Sequence, residues 1–326
     1  MEMEQFLETV RAFQESRAIL TGVELNVFTA IGPGATASEV AARIQADRRG
    51  VEMLLHALAA VGLLEKRNGA FHNAPFAARY LDDASADSIR LATMHSVALW
   101  TRWSTLTDCV RAGTSVLRDQ LKNRSEEWTE AFIAAMHRNA SERAPQVVHT
   151  IGVEGVRRLL DVGGGSGAYS IAFAQAAPAL HAEVFDLPRV IRIAQRHIAA
   201  AGLEDRVTTR AGDFLADPLG TGFDLVYVSA ICHMLDPDEN RALLRKCYGA
   251  LTPGGRLVIQ DFILEPDKTA PKMAALFSLN MLVGTKGGAS YSVEEYAAWM
   301  RETGFEDVRH NRLAGPAGLM IGRRPA

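Results

Sequence analysis

The sequence has few cysteines and almost no excess of charge. Its three cysteines, Cys109, Cys232 and Cys247, are widely spaced and odd in number, so they form neither a disulfide framework nor a zinc-ligand pattern. We therefore expect a reducing compartment, by default the cytoplasm. The 35 basic and 38 acidic side chains leave a net charge of −3, too small to attract nucleic acid or an anionic membrane.

Long apolar runs are also missing. No uninterrupted apolar stretch reaches the length of a membrane span, and the first residues, Met1-Glu-Met-Glu-Gln-Phe6, are acidic where a secretory signal would be basic. These absences predict a soluble, unprocessed protein. Composition then leaves two classes, an enzyme that acts on a small molecule and a protein that binds an apolar ligand.

The pattern of apolar residues changes along the 326 residues, which indicates more than one domain. Helical patterns fill the first 150 residues, whereas β-type apolar runs alternate with helices from Leu159 onward, as in a parallel sheet covered on both faces. A helix over 293–303 is predicted by the capping box that begins at Ser292. An apolar segment, 272–283, predicts a helix that is buried or lines a pocket. Strands are predicted near 157–162, 182–186, 206–210, 223–229 and 256–262, with a closing hairpin near 305–312 and 317–323.

The N-terminal region has the pattern of a winged helix-turn-helix. Two helical segments that begin at Thr36 and Val51 precede a short ribbon with Asn68-Gly69 at its turn. A DNA-binding regulator must therefore be weighed. Residues 36–90 carry seven Lys/Arg and seven Asp/Glu, and the second helix has few donors for phosphates or base edges, so DNA binding is the weaker interpretation.

A glycine-rich turn follows the first strand of the second region. Gly163, Gly164, Gly165 and Gly167 would let a ligand approach the backbone closely. Because Gly163-x-Gly165-x-x-Ala168 also fits the loose dinucleotide fingerprint, the turn alone leaves an NAD-dependent oxidoreductase open.

Three acids follow successive predicted strands and narrow the choice of ligand. Asp161, just before the glycines, would repel a pyrophosphate and favour a ligand with an ammonium or sulfonium charge, such as S-adenosylmethionine (SAM). Asp186, about 20 residues after the glycines, suits the hydroxyls of a ribose. Asp213 and Phe214 offer a carboxylate and a ring to an adenine. Each acid alone could cap a helix or form a turn, but the carboxyl ends of parallel strands meet at one crevice.

These motifs resemble the plant-type small-molecule O-methyltransferases and their bacterial relatives, over most of the chain. The resemblance implies SAM as cofactor, a mixed seven-stranded sheet and a homodimer built by the N-terminal region. The segments that carry it are Leu160-Asp-Val-Gly-Gly-Gly-Ser-Gly167, Phe185-Asp-Leu-Pro-Arg-Val-Ile191, Gly212-Asp-Phe214 and Ser229-Ala-Ile-Cys-His-Met-Leu235, the last running into Leu243-Leu-Arg-Lys-Cys-Tyr-Gly-Ala-Leu251.

The resemblance also assigns roles to residues. His233 occupies the position of the general base, and Asp261 that of the acid that orients it. Two departures stand out: Ser290 aligns with the second acid beside the histidine, and Ser229 and Met234 replace a lysine and an acidic residue. The expected cofactor-binding residues are Asp161, Gly163, Gly165, Asp186, Leu187, Asp213, Phe214 and Ser229.

The methyl acceptor is expected to be small and largely apolar. Methyl transfer needs alignment and loss of a proton, and we expect no metal. Transfer to carbon or nitrogen, or a SAM-binding relative without methyl transfer, is the nearest alternative, followed by the ligand-sensing regulator. The expected segments are a winged-helix-like dimerisation region (1–90), a helical linker (91–150) and the methyltransferase domain (151–326). Flat or flexible apolar side chains proposed for the acceptor pocket are Trp100, Trp103, Phe132, Met136, Phe277 and Met281.

Overall fold

A computed structural model describes residues 2–117, 126–313, 315 and 317–326 of the chain. It divides into two compact units, Met1–Thr101 and Arg102–Ala326. The three-segment division expected above stays a prediction. Within the described ranges, no helix combines the length and apolarity needed to cross a membrane.

The first unit is helical, with one hairpin. Its apolar core includes Phe28, Leu55 and Phe71, all fully buried. The hairpin turns at Asn68 and Gly69, which adopt positive φ angles of 50° and 82°, and this confirms the predicted ribbon. Its elements are α1 (Met3–Arg11), α2 (Phe13–Glu24), α3 (Val27–Ile31), α4 (Ala37–Arg43), α5 (Arg48–Ala60), β1 (Leu64–Arg67), β2 (Ala70–Asn73), α6 (Pro75–Tyr80) and α7 (Arg90–Trp103), which continues into the second unit.

The second unit is an α/β domain built on a mixed seven-stranded sheet, as predicted. The strand order is β5-β4-β3-β6-β7-β9-β8; the first five strands are parallel, and β9 is antiparallel to both of its neighbours. The strands are β3 (Arg158–Val162), β4 (His181–Asp186), β5 (Val207–Ala211), β6 (Phe223–Ser229), β7 (Leu251–Asp261), β8 (Glu306–Arg312) and β9 (Gly318–Arg323).

Helices cover both faces of this sheet. Side chains along each strand alternate between two apolar cores: Leu159 and Tyr227 face one core, and Leu160 and Val226 face the other. The first core is completed by α9, α10 and α11, and the second by α12 and α14. The helices are α8 (Leu106–Ala112), α9 (Glu126–Ile151), α10 (Ala168–Ala176), α11 (Pro188–Ala200), α12 (Pro237–Ala250), α13 (Lys272–Gly284) and α14 (Val293–Thr303).

Most predicted elements lie where expected, with one difference. Strand β7 begins at Leu251, about five residues before the expected start. Its first residues pair with Phe223 across an irregularity in the β6–β7 register. The segment Thr252-Pro-Gly-Gly255 has the composition of a turn, which is why the sequence pattern places the start of this strand too late.

Candidate active site

The glycine turn connects β3 to α10 and leaves open space on one side. Gly163 has a φ of 68°, a conformation that favours glycine, and a Cβ there would lie 2.4 Å from the Ile231 side chain, just beyond the end of β6. Gly165 also has positive φ, 58°, but nothing lies within 4 Å of the place where its Cβ would be. The turn is therefore closely packed at Gly163 and open at Gly165.

Asp161 lies beneath this turn with one oxygen unsatisfied. The residue is 1% exposed, and its Oδ2 accepts a hydrogen bond of 2.7 Å from the Ser170 hydroxyl. Its Oδ1 is buried, and no donor in the described part of the chain reaches it. Burial raises the pKa of this carboxyl to about 7. A buried acceptor without a donor is costly, and a cationic or N–H-bearing ligand would satisfy it.

Asp186 ends β4 and holds the turn from the neighbouring strand. Its Oδ2 accepts the N–H of Gly165 at 2.9 Å, and its Oδ1 accepts the N–H of Leu187 at 2.7 Å. Burial raises the pKa of the Asp186 carboxyl. Since the Gly165 N–H is already occupied by a carboxylate, the turn offers a pyrophosphate one donor fewer than a dinucleotide site would.

Asp213 and Phe214 follow β5, the next strand along the sheet edge. Asp213 is exposed, and its Oδ1 accepts the Leu215 N–H at 2.9 Å, so the side chain forms the turn. Phe214 is half-buried against the core, and the Lys246 ammonium donates to its carbonyl at 2.6 Å. The adjacent strands β5, β4 and β3 thus bring Asp213, Asp186 and Asp161 to one edge, in that order.

His233 and Asp261 form a buried pair beyond the end of β6. His233 lies in a 3₁₀ turn, Cys232–Met234, and Asp261 is the last residue of β7. The ring Nδ1 lies 2.6 Å from Asp261 Oδ1, and the His233 backbone N–H donates to Asp261 Oδ2 at 3.0 Å. Asp261 also accepts the Phe262 N–H at 2.8 Å and the Tyr296 hydroxyl at 3.3 Å. These donors fix the carboxylate, and the carboxylate fixes the imidazole.

Aromatic rings surround the imidazole. The Phe277 ring stands edge-on to His233, with centroids 4.8 Å apart, and stacks on Phe262 at 4.0 Å. Because Phe277 comes from α13, this contact places the apolar helix beside the pair. Met281, one turn further along α13, is buried. The expected pocket residues Phe277 and Met281 therefore lie on the helix that packs against His233.

The remaining expected pocket residues lie further apart. The Trp103 indole N–H donates to Asn280 of α13 at 3.0 Å. Met136, on α9, is 37% exposed. Trp100 belongs to the first unit, where its ring lies under the Arg17 guanidinium at 5.7 Å. The Phe132 side chain lies outside the described residues.

The three positions that depart from the family pattern, Ser229, Met234 and Ser290, add no second acid beside His233. Ser229, at the end of β6, pairs with Gln260 across the sheet and is half-buried. Met234 is 42% exposed. Ser290 is buried, and its hydroxyl has no hydrogen-bond partner among the residues described. Asp261 is thus the one acid that contacts the His233 imidazole within the described ranges.

Several residues at the site carried no signal in the sequence. Tyr296 holds Asp261 from the buried face of α14, and Ser170 holds Asp161 from α10. A third is His137 of α9, whose Nδ1 lies 2.9 Å from the Ser166 hydroxyl of the glycine turn and whose ring stacks on His197 at 3.6 Å. Burial, and secondarily His197, lowers the pKa of His137 to about 4, so the ring is neutral at pH 7. Only the folded structure brings these distant residues together.

Comparison with known proteins assigns the class. The O-methyltransferase domain model matches residues 103–306, and the O-methyltransferase dimerisation domain model matches residues 7–83. The chain therefore belongs to the O-methyltransferase family and is a methyltransferase with a winged-helix dimerisation domain. The family match decides against the oxidoreductase that the glycine turn alone leaves open.

Individual relatives are similar over nearly the whole chain. The 3-hydroxy-5-methyl-1-naphthoate 3-O-methyltransferase of Streptomyces sahachiroi is 38% identical over 94% of this chain and 91% of its own length. The tetracenomycin polyketide synthesis 8-O-methyltransferase TcmO of Streptomyces glaucescens is 31% identical over 98% and 96%. The solved structure of PigF with SAH (S-adenosylhomocysteine) has a TM-score of 0.86 at 27% identity and covers 99% of this chain and 100% of its own.

Proposed function

We propose that this protein transfers a methyl group from SAM to a hydroxyl of a small, largely apolar acceptor that is aromatic or polyketide-like, with His233 as the general base. The observation that carries the proposal is the buried His233–Asp261 pair, joined at 2.6 Å through Nδ1. The acceptor class follows from the aromatic residues beside the imidazole and from relatives named for a naphthoate and a polyketide.

The residues of the glycine turn suit SAM. The unsatisfied Oδ1 of Asp161 would accept from the cofactor's ammonium, and a cation there would keep the carboxyl ionised despite its burial. Each oxygen of Asp186 accepts one backbone N–H and retains a lone pair for a ribose hydroxyl. Asp213 and Phe214 would face the adenine, with Gly163, Gly165, Leu187 and Ser229 beside the ligand. When bound, SAM supplies an electrophilic methyl group on a sulfonium.

The imidazole is set to remove the proton of the acceptor. Because Nδ1 is bonded to Asp261, the neutral ring carries its proton on Nδ1, and Nε2 is left as the acceptor. For unperturbed groups, moving a proton from a phenol to an imidazole is uphill by about 5 kcal/mol. The buried carboxylate of Asp261 lowers that cost by stabilising the imidazolium, and proton removal coupled to attack lowers it further.

The oxygen that loses its proton then attacks the methyl group in line with the departing sulfur. The protein's contribution to this step is alignment and exclusion of water. The stacked Phe262 and Phe277 rings offer a flat apolar wall beside His233 on which an aromatic acceptor would lie. Met281, Met136 and Trp103 are the further candidates for this pocket.

The proposed homodimer rests on the first unit. Helix α1 exposes a run of large apolar side chains, which include Met3 at 72% and Phe6 at 51% exposure. Exposed apolar surface of this kind marks an association site. Helix α1 overlaps residues 7–83, which match the dimerisation domain, so a second copy of the chain is the expected partner of this apolar surface.

The test is methyl transfer from isotopically labelled SAM to a panel of hydroxylated aromatics, with the methylated atom identified by NMR. His233→Ala should reduce turnover by 10²-fold or more at saturating SAM, because a positioned base contributes about that much. His181→Ala removes an exposed histidine at the opposite end of the sheet and should leave turnover unchanged. Products methylated on a ring carbon would show that the acceptor atom is carbon and not a hydroxyl oxygen. Full activity of His233→Ala would refute the role of His233 as the base.

A further inference from the structure

Arg102 is a half-buried cation beside the apolar helix α13. It lies in the last turn of α7, at the start of the second unit. Its Nη1 lies 3.3 Å from the place where a Cβ on Gly284 would be, so its guanidinium packs on the C-terminal end of α13. The absence of a side chain at Gly284 leaves room for this approach.

The charge of Arg102 has no counterpart in the described part of the chain. Its Nε is buried without a hydrogen-bond acceptor. Burial lowers the pKa of Arg102, and no acid among the described residues offsets this effect. A buried guanidinium N–H without an acceptor is destabilising. A ligand with an anionic group would supply an acceptor and a counter-charge.

Helix α13 connects this cation to the His233–Asp261 pair. Phe277 contacts His233, Asn280 accepts from Trp103, and Gly284 contacts Arg102. Spacings of three and four residues place these contacts on one face of the helix. The same face of α13 therefore contacts both the His233 ring and the Arg102 guanidinium.

We infer that Arg102 binds a carboxylate of the methyl acceptor, so that the substrate class is a hydroxylated aromatic acid. The inference deepens the proposed methyl transfer and rests on it.

This arrangement also orients the acceptor. The fork of the guanidinium binds a planar carboxylate through two parallel hydrogen bonds, which fixes the plane of the ring as well as its position. The ring then lies along α13 near Phe277 and Met281, with its hydroxyl toward His233. Arg102 acts as a specificity residue: it selects acids over neutral phenols without touching the reacting atoms.

The test measures binding separately from turnover. The SAH complexes of wild type, Arg102→Gln and Arg102→Lys are titrated calorimetrically with 3-hydroxy-1-naphthoate and with 2-naphthol, which has the same ring and hydroxyl without the carboxylate. Arg111→Gln, which removes an exposed arginine of α8, is the matched control. Wild type should bind the acid at least tenfold more tightly than 2-naphthol. Arg102→Gln should lose that preference, Arg102→Lys should keep part of it, and the control should keep it all.

Two results would overturn the inference. One is binding of the acid by Arg102→Gln as tight as that of wild type; the other is an equal loss for both ligands, which would indicate a structural role. Binding of neither ligand by wild type would also reject the substrate class. Failure of the proposed methyl transfer would give a different pattern. The preference for the acid would still depend on Arg102 in these titrations, but His233→Ala would turn over the acceptor as fast as wild type.

Discussion

The cofactor side and the acceptor side of the candidate site are built in different ways. The cofactor side consists of one glycine turn and acids at the ends of three adjacent strands, and backbone N–H groups hold Asp186 in place. On the acceptor side, side chains from separate elements meet: His233 from a 3₁₀ turn, Asp261 from β7 and Phe277 from α13.

This difference has a physical consequence. A site held by backbone geometry tolerates many sequences around it, since the turn and the strand ends keep their positions. A site made of packed side chains changes shape with each substitution. The cofactor side therefore suits a ligand common to a family, and the acceptor side suits a ligand that differs among its members.

The largest predicted effect on the cofactor side is that of Asp186→Ala. If Asp186 binds the ribose as proposed, loss of the carboxylate removes two charge-assisted hydrogen bonds, so SAM affinity should fall by roughly 100-fold or more in calorimetric titration. Asp205→Ala removes an exposed acid next to β5 with the same change of charge and should have no effect. Unchanged affinity of Asp186→Ala would place the ribose elsewhere.

Asp161→Asn should weaken SAM binding but stabilise the ligand-free protein above neutral pH. Burial raises the pKa of Asp161 from 3.8 to about 7, so the folded state binds the proton more tightly than the unfolded state. The resulting loss of stability accumulates as the pH rises from about 4 to about 7 and is complete above that range. In thermal melts, the Tm of Asp161→Asn should match wild type near pH 4 and exceed it by several degrees at pH 8. A difference in Tm between wild type and Asp161→Asn that stays the same from pH 4 to pH 8 would contradict this prediction.

The smallest effect on the acceptor side is expected for Ser290→Ala. The Ser290 hydroxyl has no partner in the part of the chain that the structure describes, so its removal leaves no group unpaired. Turnover should stay within about twofold of wild type, and Tm within about 2 °C. A tenfold loss of turnover would mean that this hydroxyl orients His233 in place of the second acid.

Much of the fold could be predicted from the sequence. The alternation of apolar strands and helices places β3 to β6 and the closing hairpin within one or two residues, because each strand is bounded by turn residues or by a capped helix. Helix α14 is preceded by the predicted capping box at Ser292 and followed by Gly304, which caps its C-terminal end with a φ of 103°. Local signals of this kind need no knowledge of tertiary contacts.

The candidate site could be predicted only in part. The acids Asp161 and Asp186 follow from strand ends, and the family pattern indicates His233 and Asp261. Tyr296, which donates to Asp261 from 35 residues away, has no such signal. The sequence likewise does not show that Arg102 lacks an acidic partner, because that depends on which distant residues pack beside it. Contacts between distant segments depend on packing, which the sequence pattern does not encode locally.

The central claim is that the two sides have separate tasks, cofactor binding and proton removal. It is tested most directly by measuring SAM affinity and single-turnover methyl transfer at saturating SAM for both His233→Ala and Asp186→Ala. We expect opposite results: His233→Ala should bind SAM as wild type does but transfer at least 10²-fold more slowly, whereas Asp186→Ala should bind weakly and transfer at close to the wild-type rate once saturated. Equal loss of both properties in both variants, or an unchanged transfer rate in His233→Ala, would contradict it.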